Sequence, residues 1–184
     1  MTDVARAVPY RDAGEDALLA LARSGDGEAF GRLVEPRIER TLRTARAILG
    51  NEADAREVTQ EAFVSAWVNL RGLRDTSRFD AWLNRIVLNR CRDRLRQRRR
   101  IREVAIDAVE LPAGDVADAN ADTGAVLAAF ERLGVADRQI LVLHHLHDLS
   151  LDEIARQLDV PVGTVKSRLW KARRSLERAL EVET

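Results

Sequence analysis

"SLDEIARQLDVPVGTVKSRLWKARRSL", residues 150–176, is the stretch whose reading decides the fold. Ser150 followed three residues later by Glu153 fits a capping box, so a helix begins here. Leu151, Ile154, Ala155 and Leu158 then line one apolar stripe. "DVPVG" (159–163) stops that helix, and Thr164 is expected as the N-cap of the next. In the second helix Val165, Leu169, Ala172 and Leu176 recur at i, i+4, i+7 and i+11, which is a core-facing stripe. Its opposite surface carries Lys166, Ser167, Trp170, Lys171 and Arg174. A short helix, a tight turn and a second helix with a basic outer face form the helix-turn-helix arrangement. Such a second helix enters a major groove, its early residues reaching base edges while its lysines and arginines neutralise phosphates. The alternative is a plain helical hairpin with a charged outer face; cap, turn and basic face together favour DNA. Trp170 stays open between a DNA contact and packing on a neighbouring helix.

The rest of the chain is consistent with helices. Aromatic residues are only 4% of the 184, so the core is built mostly from Leu, Ile, Val and Ala. That length suits one domain or two small ones. No strand-like alternation and no internal repeat stand out, and the expected fold class is all-α. Breaks are expected at "SGDG" (24–27), near "LGNEAD" (49–54) and at "RGLRDTS" (71–77), with a helix start or kink at Pro36. The formal net charge is zero, but the charges are segregated. From Arg85 to Arg102 nine arginines stand against one acid, Asp93; from Glu103 to Asp122 six acids stand against no base. Such asymmetry points to a polyanion-binding surface beside an acidic tether. The expected layout is a loose tail (1–14), a helical domain (15–102), a flexible acidic linker (103–122) and a second helical domain (123–184).

Cys91 is the only cysteine, so neither an internal disulfide nor a cysteine-based zinc site can be built. The N-terminus lacks a signal pattern, and no apolar run reaches about 18 residues. A cytoplasmic protein with no membrane contact of its own is expected.

Two further stretches divide cleanly by face. In "NEADAREVTQEAFVSAWVNL" (51–70), Val58, Ala62, Phe63, Ala66 and Trp67 share one side, while Asp54, Glu57 and Glu61 share another beside Gln60. This reads as a solvated acidic face or as a docking surface for a basic partner. In "RFDAWLNRIVLNRCRDRLRQRRRIR" (78–102), Phe79, Trp82, Leu83, Ile86 and Val87 make the buried stripe. Arg85, Asn89, Arg92 and Arg96 recur at i, i+4, i+7 and i+11. A basic face that includes an asparagine suits DNA, because arginines hold phosphates and an amide can read or trap a base. The loop "LRGLRDTS" (70–77) beside it is placed to hold an unstacked base.

With these motifs in view, the chain resembles a bacterial sigma-70 family factor of the small extracytoplasmic-function (ECF) group, from about Asp16 to Leu180. "DAREVTQEAFVSAW" (54–67) is similar to region 2.2, which docks on the β′ clamp helices of RNA polymerase. "FDAWLNRIVLNRCRDRLR" (79–96) is similar to regions 2.3 and 2.4, which melt and read the minus-10 element. "LSLDEIARQLDVPVGTVKSRLWKARRSL" (149–176) resembles region 4.2, which binds the minus-35 element. The resemblance implies a transcription initiation factor without catalytic residues or cofactors. Its implied partners are core polymerase (β′ clamp helices and β flap), promoter DNA and an anti-sigma factor. It assigns Asp54, Glu57, Gln60 and Glu61 to polymerase docking, with Phe63 and Trp67 packed beneath. Asn84, Arg85, Asn89, Arg92 and Arg96 go to the minus-10 element. Around the minus-35 element it places His144, Pro161, Gly163, Thr164, Lys166, Ser167, Trp170, Lys171 and Arg174. Gly134 in "LGVADRQ" stands where the family often has proline, and His144 where it often has a DNA-touching arginine.

Other readings compete less well. "HHLHD" (144–148) invites a metal site, but without further ligands its histidines read as satisfied or DNA-facing. No phosphate-binding glycine loop and no Ser/His/Asp arrangement is legible. A stand-alone DNA-binding regulator would need only the helix-turn-helix and leaves the 54–67 and 79–96 motifs without a use.

Overall fold

The computed structural model describes residues 13–105, 129, 130 and 132–181. The expected tail, most of the expected linker and the resumption of helix at Ala125 lie outside these residues. Everything regular among the described residues is helical, as expected. In chain order the helices are α1 (Glu15–Arg23), α2 (Gly27–Val34), α3 (Ile38–Leu49), α4 (Glu52–Asn69), α5 (Phe79–Ala105), α6 (Val135–His145), α7 (Leu151–Leu158) and α8 (Val162–Glu181).

Local chemistry sets these boundaries. Asp26 caps α2 by accepting from the Glu28 and Ala29 N–H groups, and Asn51 caps α4 by accepting from Asp54 N–H. Pro36 lies in a 3₁₀ turn, Glu35–Arg37, which bends the path between α2 and α3. Gly50 ends α3 in the left-handed region (φ 66°), where its N–H reaches Arg46 O at 2.9 Å. Two further 3₁₀ turns, Leu70–Gly72 and Thr76–Arg78, fill the 71–77 break. Helix α5 runs to Ala105, three residues beyond its expected end at Arg102, because nothing before Pro112 forbids helix.

Leu19, Leu33, Phe79 and Leu83 are buried in a first apolar cluster that joins α1, α2 and the start of α5. A second cluster is shared between the two halves of the chain. Ile48, Val58, Val87, Leu88 and Cys91 come from α3, α4 and α5; Ile140, Leu143, Ile154, Val165 and Leu169 come from α6, α7 and α8. Helix α3 lies against α6, and α5 against α7. The C-terminal unit is thus docked on the N-terminal one. No helix of the described residues is long and apolar enough to cross a membrane.

Candidate nucleic-acid and polymerase interfaces

The helix-turn-helix forms as its caps require. Ser150 N–H donates to Glu153 Oε2 at 2.8 Å, and Glu153 N–H returns to Ser150 Oγ at 3.3 Å, which completes the capping box. Asp159, the first residue of "DVPVG", supplies the left-handed residue that ends α7 (φ 55°). Thr164 is not the N-cap of α8. The helix already begins at Val162, because Pro161 O accepts from the N–H groups of Thr164 (2.9 Å) and Val165 (3.2 Å). Proline has its φ preset and lacks an N–H, so the helix opens three residues earlier than a Thr164 cap would place it. Gly163 and Thr164 therefore sit in its first turn.

Val165, Leu169 and Ala172 are buried as expected, while Lys166, Ser167, Trp170, Lys171 and Arg174 stand exposed on the other side. Trp170 is 59% exposed, and the Arg174 guanidinium lies 4.9 Å from its ring centre. His144 and His147 do not converge. His144 Nδ1 is 3.1 Å from Leu149 O, and its ring lies edge-on to His145, whereas His147 turns into the interior.

Along α5, Arg85, Asn89 and Arg96 are exposed, and the C-terminal unit engages the other two members of that face. Arg92 Nε donates to Gln139 Oε1 at 3.2 Å, and Asn84 Nδ2 lies 3.0 Å from His147 Nδ1. Burial pushes the Arg92 guanidinium below its usual range, and the nearby charges of Arg96, Arg168 and Arg85 push the same way. Arg168 belongs to α8, so docking brings a C-terminal cation up to the basic face of α5.

On α4, the carboxylates of Asp54, Glu57 and Glu61 converge on Arg94 of α5, at 2.9, 2.7 and 3.3 Å. Arg98 also meets Asp54. The acidic face is thus partly neutralised from within. Its hydrogen bond to Arg94 is the main cause holding the Glu57 carboxyl below the ordinary carboxylate range. Phe63 and Trp67 are half-buried, and the Trp67 ring lies 5.1 Å from that of Phe30. Beside the acids, Val64 and Val68 are 57% and 71% exposed and line a shallow groove with Gln60 and Arg90. Sequence reasoning passed over these valines. Their signal was an i, i+4 apolar pair lying off the buried stripe.

His147 is a satisfied histidine, one of the two readings the sequence left for 144–148, but its partners were not legible. It is 7% exposed, with Nε2 at 2.8 Å from Thr44 Oγ1 of α3. Burial is the main cause pushing its imidazole down to about 4, with the Arg40 charge next.

Two family models match the chain: Sigma-70 region 2 over residues 33–101, and Sigma-70, region 4 over residues 123–176. ECF RNA polymerase sigma factor SigW of Bacillus subtilis is 31% identical, over 86% of this chain and 92% of its own. RNA polymerase sigma factor CnrH of Cupriavidus metallidurans is 33% identical, over 92% and 97%. Among solved structures, CnrH in complex with the cytosolic domain of CnrY superposes with a TM-score of 0.66 at 30% identity, covering 91% of this chain and 97% of that one. The sigma factor RpoE bound to the anti-sigma factor NepR from Bartonella quintana superposes with a TM-score of 0.74. At 22% identity, over 85% of this chain and 99% of that one, this second likeness speaks for the fold alone.

Proposed function

Because the chain belongs to the sigma-70 family, matching its region 2 and its region 4, we propose that its two helical units divide promoter recognition between them. The protein is an ECF RNA polymerase sigma factor, a transcription initiation factor that binds core polymerase and directs it to two-part promoters. The exposed basic face of α8 reads the minus-35 duplex through Lys166, Ser167, Trp170 and Lys171, with Arg174, Pro161, Gly163 and Thr164 flanking them and His144 close by. The α5 face of Asn84, Arg85, Asn89, Arg92 and Arg96 takes the minus-10 element. The α4 face docks on polymerase. There Gln60, Val64 and Val68 offer apolar and amide contact, while the acids held by Arg94 supply the field a basic partner meets. Residues 15–102 form the first unit and 123–184 the second, joined by an acidic tether. The factor works in the cytoplasm with an anti-sigma partner, and polymerase supplies the bond-making chemistry.

The observation that carries this reading is the capped helix-turn-helix whose apolar stripe is buried while its basic stripe is exposed. Run-off transcription on a pooled promoter library tests it. Discrete transcripts are expected only when both this protein and bacterial core enzyme are present. Lys166→Ala with Lys171→Ala should abolish those transcripts while sparing core binding, whereas Gln60→Arg with Val64→Glu should impair core binding first. Transcripts that survive the lysine pair unchanged would remove the minus-35 assignment. DNA binding without core enzyme, and no transcripts with it, would favour a stand-alone regulator.

A further inference from the structure

We propose that Trp170 is a reader of pyrimidine C5-methyl groups: its indole ring packs on the methyl of a thymine, or of a 5-methylcytosine, in the minus-35 major groove. The inference rests on the reading that α8 takes the minus-35 duplex.

The ring stands where the fold makes little use of it. Val165, Leu169 and Ala172 are buried on one side of α8, and Trp170 lies on the other at 59% exposure. Most of its apolar area is therefore kept for a partner. A single exposed apolar side chain is ordinary on a protein surface. What sets this one apart is its company. Lys166 lies one turn before it and Arg174 one turn after, while Ser167 and Lys171 form the adjoining column, and all four are exposed. One large apolar surface is thus ringed by three cations and a hydroxyl. Lysine is depleted in protein–protein interfaces, whereas a nucleic-acid face needs cations for the phosphates on either side of the groove.

Its place along the helix suits base edges. Helix α8 begins at Val162, so Trp170 is its ninth residue, in the third turn. That is about 12 Å along the axis from Val162, within the roughly 12 Å width of the major groove. The Arg174 guanidinium lies 4.9 Å from the ring centre. One face of the indole is covered by that cation, and the other face and the edge are left to the groove.

The chemistry of the groove then names the target. Base pairs present donors and acceptors there, and the C5-methyl of thymine is the apolar mark among them. Cytosine carries a hydrogen at the same carbon, and methylation there gives it the same mark. On the exposed stripe Lys166, Ser167, Lys171 and Arg174 offer hydrogen bonds and charge, so the apolar contact falls to Trp170. The indole N–H is itself a donor, and reading through it is a separate mode that the test must tell apart.

The experiment uses holoenzyme assembled from the full chain and bacterial core polymerase, at one fixed salt concentration, on a promoter recovered by run-off transcription. Each thymine of the minus-35 element, in both strands, is replaced singly by deoxyuridine. That removes the methyl and leaves the hydrogen-bonding groups of the base in place. At one position the affinity of the unsubstituted holoenzyme should fall about fourfold, the weight of one buried carbon. Trp170→Ala leaves the buried stripe of α8 untouched, so it keeps the fold; it should bind more weakly and not distinguish thymine from deoxyuridine. Trp170→Phe, which keeps an apolar ring without the N–H, should still distinguish them. In a second arm cytosine and then 5-methylcytosine stand at the sensitive position. A gain of about fourfold from that methyl extends the reading to methylated DNA, and its absence confines it to thymine.

Indifference of the unsubstituted holoenzyme to every deoxyuridine overturns the proposal, as does a penalty that persists in Trp170→Ala. A Trp170→Phe chain as blind as Trp170→Ala makes the N–H the reader and overturns it too. Weaker core binding in Trp170→Ala with no deoxyuridine effect in the unsubstituted chain would put the ring against polymerase instead. Failure of the underlying reading shows separately: transcription would then survive a scrambled minus-35 element.

Discussion

Single residues show where sequence reading succeeds and where it runs out. The Ser150–Glu153 box was legible because both partners lie within one helical turn. His147 was not, because Thr44 and Asn84 are 103 and 63 positions away, and "HHLHD" shows nothing of them. Cys91 is the middle case. Being the only cysteine ruled out a disulfide from sequence alone, and in the structure the thiol is packed in the core, where burial pushes it up to about 12 despite the neighbouring Arg92 charge. Gly134, in the place where the family often has proline, turns out to need no glycine. Its backbone (φ −60°, ψ 148°) suits any residue, it is the N-cap of α6, and no side chain caps that helix. A side chain there would meet only Asp137 Oδ2, at 3.8 Å. Gly134→Ser would let a hydroxyl accept from the Ala136 N–H in the first turn while narrowing the unfolded ensemble. The expected gain is about 1 kcal/mol, read as a higher midpoint in urea with an unchanged slope. A lower midpoint would show that the cap position needs the bare backbone.

At the scale of elements, the arginine run of α5 is not one surface. Each residue turns roughly 100° about a helix axis, so positions two apart lie on nearly opposite sides. Arg85, Arg92 and Arg96 accordingly point away from α4, while Arg94 and Arg98 turn back onto it. Counting charges along the sequence found the run; only the pairing of α4 with α5 divides it. The apolar stripes of both helices were legible because periodicity alone defines them, whereas the fate of each charge depends on the neighbouring helix. Arg94 is the hub of that division: its side chain is 14% exposed and it meets three carboxylates. Arg94→Met should cost about 2 kcal/mol, less than breaking a fully buried pair because two of the three acids are well exposed. The pH dependence of that loss has a definite sign. Glu57 holds its carboxyl below the ordinary 4.5, so the network stabilises the chain above that pH and weakens as the acid is protonated below it. Parallel denaturation curves should therefore show the variant's deficit at pH 7 shrinking toward pH 3. A deficit that does not change with pH would mean that Arg94 acts through its packed methylenes alone.

At the scale of the whole molecule, two units read from sequence as separate are joined by one apolar cluster. The sequence revealed each unit's stripe but not that the stripes of α3 and α5 extend onto a second unit, because an apolar residue does not name its partner. That joint carries an unusual electrostatic balance. Among the described residues, the hydrogen bonds that Arg40, Thr44, Asn84 and Arg92 make across it run to backbone or uncharged side chains, and one charge proximity across it, Arg168 with Arg92, is repulsive. Salt screens exposed charges, with a Debye length falling from about 10 Å at 0.1 M to about 3 Å at 1 M. An interface held by ion pairs loosens as salt rises. Among the described contacts just named the attraction is apolar and hydrogen-bonded while the screened charge proximity is repulsive, so salt should tighten the joint. Between about 0.05 and 0.5 M NaCl at pH 7.5, fluorescence transfer between the two units should therefore rise in the free chain. Transfer that falls with salt would mean that ion pairs across the joint, and not its apolar seam and its histidine, hold the halves together.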